Sequence, residues 1–301
     1  MKDFRLGVAQ CHPSGSHPFE ENLALMERIL SRAAQSEVDL LVFPEVFLSG
    51  YVDDPNAARA RALPLHDPVV RQALSLTRTY AMAVCFGLYE TDGDHVFNAA
   101  VLADRGRVAG VQRKVHIPAR ERGFFRPGSG FGVFDLPFAR IGIGICYDNE
   151  VAETHLSLAV LGAEVILMPA AWSERWERLD YIEPCATEED VLRERQRWAT
   201  MMFGARCRDT GTYSALANQC GPVEDGPWRF PGKSLIVAPT GRILAEGAAW
   251  KEALLWADLD AAILRRYREM PCYALRGRRP DAYKPLVDES LKGAWSADRR
   301  K

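Results

Sequence analysis

The sequence predicts an α/β fold, in which helices cover layers of buried strands. Short continuous apolar runs such as DLLVF at residues 39–43 are typical of strands that are buried on both faces. Between such runs lie segments with apolar residues at helical spacing, of which residues 20–34 are a clear example. Because the two patterns alternate along the chain, we expect a layered α/β domain.

The predicted strands follow one another from the N-terminus to residue 260. They cover residues 4–10, 39–43, 82–90, 96–104, 107–112, 131–136, 139–146, 163–168, 212–218, 234–239, 242–246 and 253–260. Helical spacing predicts helices over residues 20–34, 68–80, 153–161 and 188–209. Arg105-Gly106 is predicted to form a tight turn between two strands, and residues 113–130 form a loop rich in glycine and proline.

Size and composition are those of an ordinary globular protein. The chain has 301 residues, of which 48% are hydrophobic and 26% charged. No linker or low-complexity tract divides it, so we expect a single domain over residues 1–265. The remaining residues, 266–301, are predicted to be a C-terminal tail that packs on the domain or on a neighbouring subunit.

Charge and cysteine content narrow the possible partners and compartments. A net charge of −2 provides no field that favours nucleic acid or an anionic membrane, and we expect neither as a partner. No apolar stretch approaches the roughly 20 residues of a transmembrane helix. Seven scattered cysteines without CxxC spacing argue against a disulfide framework and a zinc site, and they fit a reducing cytoplasm.

Three predicted strands end where chemically useful residues follow. Glu45 comes after the run DLLVF and a proline, Cys146 ends the run IGIGIC, and Trp172 follows the run AEVILM by a few residues. In α/β sheets, sites gather beyond the carboxyl ends of the strands. The sequence therefore predicts a functional site at this position.

Cys146 has two interpretations on its own. Free cysteines are often buried core residues, which is the interpretation we give to Cys85. A nucleophilic cysteine needs a base or a positive neighbour, and the chain turns polar directly after Cys146. His116 is the one histidine beside another candidate, which leaves a Cys-His protease open. Glu45 is the better candidate base, since a carboxylate among apolar neighbours suits proton transfer near neutrality.

Two residues of the glycine- and proline-rich loop complete the candidate set. An ammonium such as that of Lys114 favours the thiolate of a nearby cysteine and can stabilise a tetrahedral oxyanion. Glu121, seven residues later, can pair with Lys114 or orient a substrate amide. Each residue also has an ordinary structural explanation, so the prediction depends on their combination and order.

Three segments carry a resemblance to a known family. LVFPEVFLSGY, RKVHIPARERGFFRPGSG and GIGICYDNEVAE resemble, in this order, the glutamate, lysine and cysteine motifs of the nitrilase superfamily of carbon–nitrogen hydrolases. The resemblance matches Glu45 to the general base, Lys114 to the catalytic lysine and Cys146 to the nucleophile of a Glu-Lys-Cys triad. Glu121 matches a second active-site glutamate. The resemblance extends to about residue 260.

The resemblance implies a four-layer αββα sandwich that pairs into a homodimer or a higher homo-oligomer. It implies no metal and no organic cofactor. Glu45 would take the thiol proton, and Cys146 would attack an amide or nitrile carbon. Lys114 and the backbone N–H of Tyr147 would stabilise the tetrahedral intermediate. Ammonia or an amine would leave, and water activated by Glu45 would hydrolyse the thioester.

Two departures from the family pattern bear on the substrate. Amidase and carbamoylase branches often have an arginine where this chain has Glu150, and true nitrilases tend to have Trp-Glu where it has Tyr147-Asp148. The sequence therefore favours an amidase or carbamoylase type of hydrolase acting on a small amide or N-carbamoyl substrate. A nitrilase and a catalytically inactive binding homologue are the two alternatives.

The candidate substrate pocket comprises residues near the three strand ends. They are Tyr51, Asn149, Glu150 and Trp172. Residues 173–191 are predicted to form a lengthened acidic loop, a candidate for shaping that pocket.

Overall fold

The structure, a computed structural model, describes residues 1–173, 187–222 and 229–291. The strands in these residues are β1 Phe4–Gln10, β2 Leu40–Val42, β3 Ala83–Asp92, β4 His95–Asp104, β5 Arg107–Arg113, β6 Val133–Asp135, β7 Arg140–Ile143, β8 Val165–Ala170, β9 Tyr213–Asn218, β10 Cys220–Pro222, β11 Arg229–Pro231, β12 Leu235–Val237, β13 Ile243–Glu246 and β14 Ala253–Leu259. The α-helices are α1 Pro18–Gln35, α2 Pro55–Ala60, α3 Pro68–Thr79, α4 Ala152–Val160, α5 Glu188–Thr210 and α6 Ala261–Glu269. Short 3-10 helices include Ala119–Glu121 and Cys146–Glu150.

Twelve of the strands form two six-stranded mixed sheets. The first sheet has the order β14-β1-β2-β3-β4-β5, and the second has the order β13-β12-β9-β8-β7-β6. Each sheet contains three consecutive parallel strands, β1-β2-β3 in the first and β7-β8-β9 in the second. The remaining neighbours in both sheets are antiparallel. The residues that follow β2, β7 and β8 are those in which the sequence predicts the functional site.

The two sheets pack face to face and carry helices on their outer faces. One apolar cluster joins residues of both sheets, such as Val8 and Leu40 with Ile141 and Leu167, and continues to α4 and α5. A second cluster joins the outer face of the first sheet to α1 and α3. The predicted four-layer αββα sandwich is confirmed.

Helix α1 shows why the sequence builds these layers. Its buried residues recur at helical spacing along one face; they are Asn22, Leu23, Leu25, Met26, Ile29, Leu30 and Ala33. Pro18 stands in the first turn, where the missing N–H costs no hydrogen bond. Complete burial of each large apolar side chain stabilises the fold by about 1.5–3 kcal/mol. The periodicity therefore fixes both the helix and the face that it turns to the sheet.

Some element boundaries differ from the prediction. Strand β7 ends at Ile143, so Cys146 lies in the following 3-10 helix and not at the end of the strand itself. Helices α2 and α6 and the antiparallel pair β10–β11 were not predicted. The predicted domain boundary at residue 265 falls inside α6 and stays a prediction.

Two further predictions concern other parts of the chain. Most of the predicted acidic loop 173–191 lies outside the described residues. Within the ranges given above, the structure has no helix of sufficient length and apolarity to cross a bilayer.

Candidate active site

Glu45 lies in the turn that follows β2, where the two sheets meet. Its backbone N–H donates to Ala170 O (3.4 Å), and its carbonyl accepts a hydrogen bond from Gln219 Nε2 (2.9 Å). These contacts bind the turn to the second sheet. A Cβ on Gly87 of β3 would lie 2.3 Å from the backbone nitrogen of Val46, so only glycine permits this close approach.

The two carboxylate oxygens of Glu45 have different surroundings. Oε1 accepts hydrogen bonds from Lys114 Nζ and Asn98 Nδ2, both at 2.8 Å. Oε2 is buried and has no hydrogen-bond partner among the described residues. An unpaired buried acceptor costs about 1–3 kcal/mol, so its presence in a folded protein calls for an explanation. An oxygen that must receive a proton during a reaction is such an explanation.

Lys114 follows β5 and is completely buried. Its Nζ donates to Glu45 Oε1 (2.8 Å) and to Glu121 Oε2 (3.0 Å). Burial would lower the pKa of the Lys114 ammonium, but the negative charges of Glu45, Cys146 and Glu121 together raise that pKa above its ordinary value. Lys114 is therefore a fixed positive charge between two carboxylates.

Glu121 ends the short 3-10 helix Ala119–Glu121 and is almost completely buried. Burial raises the pKa of its carboxyl group, and the nearby Lys114 ammonium partly offsets that effect. The contact with Lys114 Nζ agrees with the pairing that the sequence predicts for these two residues.

Cys146 is the first residue of its 3-10 helix and has a φ angle of +47°. A non-glycine residue in this region carries backbone strain of about 1–3 kcal/mol. Burial, and secondly the Glu45 carboxylate, raise the pKa of the thiol well above its ordinary value, whereas Lys114 and a backbone hydrogen bond from Ala171 act in the opposite direction. These surroundings therefore favour the neutral thiol of Cys146 over its thiolate.

Asp148 joins the loop that contains Lys114 to the turn that contains Cys146. Its fully buried carboxylate accepts hydrogen bonds from the backbone N–H groups of Ile145 (3.0 Å), His116 (2.7 Å) and Val115 (3.2 Å). The ring Nδ1 of His116 also lies 3.0 Å from Asp148 Oδ1. His116 is thus engaged with Asp148.

The candidate pocket residues have mixed surroundings. Tyr51 is mostly buried, and its hydroxyl donates to Asp53 (2.9 Å). The ring of Trp172 stacks on Phe203 of α5 at a ring distance of 5.6 Å, and the backbone N–H of Trp172 donates to Asn218 Oδ1. These contacts account for how each ring is held, and a role in substrate binding stays a prediction for both.

The residues that follow Cys146 divide into exposed and buried ones. Tyr147 is 38% exposed and Glu150 is also exposed. The N–H of Tyr147 belongs to the first turn of the 3-10 helix, where no intrahelical acceptor exists. Asn149 is completely buried, and its amide contacts the carbonyls of Gly144 and Cys146. Because those contacts occupy the Asn149 amide, its predicted pocket role gains no support from the structure.

Sequence reasoning missed several residues that support the site. Asn98 binds the Glu45 carboxylate, Gln219 binds the Glu45 carbonyl, and Asp148 joins the two loops. Asn98 had a visible signal, since it is the single polar side chain inside the apolar run VFNAAVLA. In the described part of the chain, no group of three or more histidine, cysteine or acidic residues is arranged to hold a metal ion.

Comparison with known proteins identifies the family to which this chain belongs. The model of the family described as "Carbon-nitrogen hydrolase" matches residues 5–269. The chain is 34% identical to an (R)-stereoselective amidase of Pseudomonas sp over 77% of both chains. It is 28% identical to an N-carbamoylputrescine amidase of Arabidopsis thaliana over 90% of this chain and 92% of the plant protein.

A nitrilase and a solved structure extend the comparison. The chain is 28% identical to a nitrilase of Pyrococcus abyssi, with 88% of this chain and 92% of that protein covered. The crystal structure of a carbon–nitrogen hydrolase from Helicobacter pylori G27 is similar with a TM-score of 0.82, 24% identity and coverage of 95% and 98% of the two chains. At that identity the likeness concerns the fold alone.

Proposed function

Since the chain belongs to the carbon–nitrogen hydrolase family, we propose that it is a cysteine-dependent amidase or carbamoylase of small linear substrates. It cleaves a non-peptide C–N bond through a thioester intermediate and releases ammonia. The observation that carries this proposal is the Glu45 carboxylate, one oxygen of which is bound by Lys114 while the other is buried without a partner among the described residues.

We propose a role for each residue in the first half of the reaction. Glu45 Oε2 accepts the thiol proton as Sγ of Cys146 attacks the carbonyl carbon. Lys114 and the N–H of Tyr147 stabilise the negative oxygen of the tetrahedral intermediate. Glu45 returns the proton to the leaving nitrogen, and ammonia departs. Glu121 holds Lys114 and the substrate amide in place.

The second half of the reaction uses the same base. Glu45 takes a proton from a water molecule, which attacks the thioester carbon. The tetrahedral intermediate collapses, and the C–S bond breaks. The proton returns to Sγ, which restores the neutral thiol. A buried carboxylate that is held at one oxygen and free at the other suits both proton transfers.

The names of the relatives support an amide or N-carbamoyl group as the substrate. Two are amidases, one of them for an N-carbamoyl amine, and one is a nitrilase, which keeps a nitrile as the second candidate. A panel of small amides, N-carbamoyl amines, N-carbamoyl amino acids and nitriles, read as ammonia released, distinguishes them. Turnover of nitriles alone would favour the nitrilase, and no ammonia from any compound would favour an inactive binding homologue.

We propose further that two copies pair through the outer surface of α4 and α5. Three exposed apolar side chains belong to this part of the chain: Val160 (50% exposed) at the end of α4, Leu161 (48%) directly after it, and Met201 (62%) on α5. An apolar surface of this kind is typical of a contact between proteins. Light scattering should give the mass of a dimer or a larger multiple, and Met201→Glu should lower it. Val108→Glu, which changes an exposed residue of β5, should leave the mass unchanged.

The free state of the described cysteines supports a reducing compartment, such as the cytoplasm. Six of them lie among the described residues, and all six are free thiols: Cys11, Cys85, Cys146, Cys207, Cys220 and Cys272. Fractionation of the producing cells tests this assignment, and recovery outside the cytoplasmic fraction would contradict it.

A further inference from the structure

Asn149 spans the turn that carries Cys146. Its Nδ2 donates to Gly144 O (2.8 Å) and to Cys146 O (3.1 Å), which lie on either side of Ile145. Its Oδ1 lies 3.1 Å from His155 Nε2. Because Nδ2 serves the two carbonyls, Oδ1 is an acceptor and the proton of the neutral imidazole must be on His155 Nε2. The side chain of Asn149 thus uses both of its ends within the interior.

The backbone that Asn149 holds is a strained one. Cys146 has φ +47°, a region that a residue with a side chain rarely occupies unless its surroundings impose it. Two hydrogen bonds from one amide, one on each side of the turn, supply such a constraint. Gly144 makes it possible, since a Cβ there would lie 2.8 Å from Asn149 Oδ1.

His155 in turn fixes the orientation of the Asn149 amide. The imidazole is completely buried on α4, and it stacks on Phe203 of α5 at a ring distance of 6.1 Å. Burial, and secondly the Arg206 guanidinium, lower the pKa of His155 to about 3. The ring is therefore neutral at ordinary pH and remains a single-proton donor to the amide oxygen. Without that donor, the amide could turn over and lose its contacts to the carbonyls.

We propose that Asn149, oriented by His155, is a positioning residue that holds the Cys146 turn in its strained conformation. In that conformation the thiol meets the substrate carbon while the N–H of Tyr147 meets the developing oxyanion. This inference rests on the proposed role of Cys146 as the nucleophile. It gives Asn149 a task in the reaction other than the substrate contact predicted from the sequence.

Four variants test the proposal. Asn149→Leu keeps the side-chain volume and removes the amide, whereas Asn149→Asp keeps the shape and removes the donor. His155→Gln keeps an N–H near the position of Nε2, and His155→Leu removes it. We expect kcat to fall at least about tenfold in Asn149→Leu, Asn149→Asp and His155→Leu with KM within about twofold, and His155→Gln to stay within about threefold of the wild type.

A second measurement does not need turnover. The rate at which iodoacetamide alkylates Cys146, followed by mass analysis of its peptide, should fall in parallel with kcat. The exposed Cys272 is labelled in every variant and serves as an internal reference. If the wild type releases no ammonia, the proposed function fails, and the alkylation rate still tests the positioning role.

A stability control separates positioning from folding. Thr212→Val removes a different buried hydrogen bond, of 2.8 Å to Thr210 at the end of α5. It should lower the melting temperature and leave kcat and alkylation unchanged. If the Asn149→Leu variant folds and has the kcat and the alkylation rate of the wild type, the proposal is overturned. If Asn149→Leu does not fold, equal kcat in His155→Gln and His155→Leu would overturn it instead.

Discussion

The carboxylate of Glu45 and the ammonium of Lys114 form a completely buried ion pair, with 2.8 Å between Oε1 and Nζ. The pair joins the turn after β2 to the loop after β5. Removal of one partner from a buried pair leaves the other charge without compensation, which costs more than the pair itself contributes. The effect of breaking the Glu45–Lys114 pair can therefore be measured in the stability of the protein as well as in turnover.

Lys114→Met should destabilise the protein strongly. The variant leaves Glu45 and Glu121 close together without their cation, so the free energy of unfolding should fall by about 3–5 kcal/mol, and turnover should be lost. Urea denaturation measures the first effect and ammonia release the second. The control Lys233→Met removes an exposed ion pair with Glu246 and should cost less than about 1 kcal/mol. Equal effects of the two variants would contradict the assignment.

Asn98→Ala should reduce kcat, because Asn98 helps to orient the Glu45 carboxylate. The variant removes one of the two hydrogen bonds that hold Oε1, so the Glu45 carboxylate can rotate away from its present orientation. We expect kcat to fall about tenfold while KM changes little. Steady-state kinetics on a small amide provide the measurement, and an unchanged kcat would show that Lys114 alone orients Glu45.

Asp148→Asn should weaken the junction of the two loops. An amide oxygen accepts fewer hydrogen bonds than the carboxylate, which has three backbone N–H donors, and its NH₂ group adds donors where acceptors are needed. The free energy of unfolding should fall by about 1–3 kcal/mol. Chemical denaturation tests this value, and a loss within experimental error would contradict the importance of the junction.

His155 should make the stability of the protein depend on pH. Its folded pKa of about 3 lies below the ordinary value of 6.5, so between these values the unfolded chain binds a proton that the folded chain excludes. The contribution is complete above about pH 6.5 and decreases as the pH falls toward 3. Relative to His155→Gln, the wild type should lose up to about 1.4 kcal/mol per pH unit in this window. Parallel stability curves between pH 4.5 and 8 would contradict the buried neutral ring.

The candidate site residues can be selected from the sequence, whereas their surroundings cannot, for a physical reason. Glu45, Lys114 and Cys146 follow strands or a distinctive loop, and their order along the chain is visible without coordinates. The direction of a side chain inside a tight turn depends on backbone angles, and the φ of +47° at Cys146 could not be read from IGIGICYDNE. The inward direction of the Asn149 amide, toward the carbonyls of Gly144 and Cys146, could not be read from that stretch either.

The glycines of that stretch illustrate the same limit. A glycine within a strand indicates that another group approaches closely, often backbone. The atoms nearest to a Cβ at Gly142 and Gly144 instead belong to side chains, namely Leu158 Cδ2 (3.0 Å) and Asn149 Oδ1 (2.8 Å). The identity of the approaching group depends on how α4 and the 3-10 helix pack against the strand. Contacts between distant parts of the chain, such as Gln219 with Glu45, were equally beyond a local pattern.

Ammonia release by Cys146→Ala tests most directly the proposed role of Cys146 as the nucleophile. On the amide or N-carbamoyl compound that the wild type turns over best, the variant should release no ammonia above the uncatalysed rate. Its fold should be unchanged, and Cys272→Ala should retain the wild-type rate. Continued hydrolysis by folded Cys146→Ala would contradict the account.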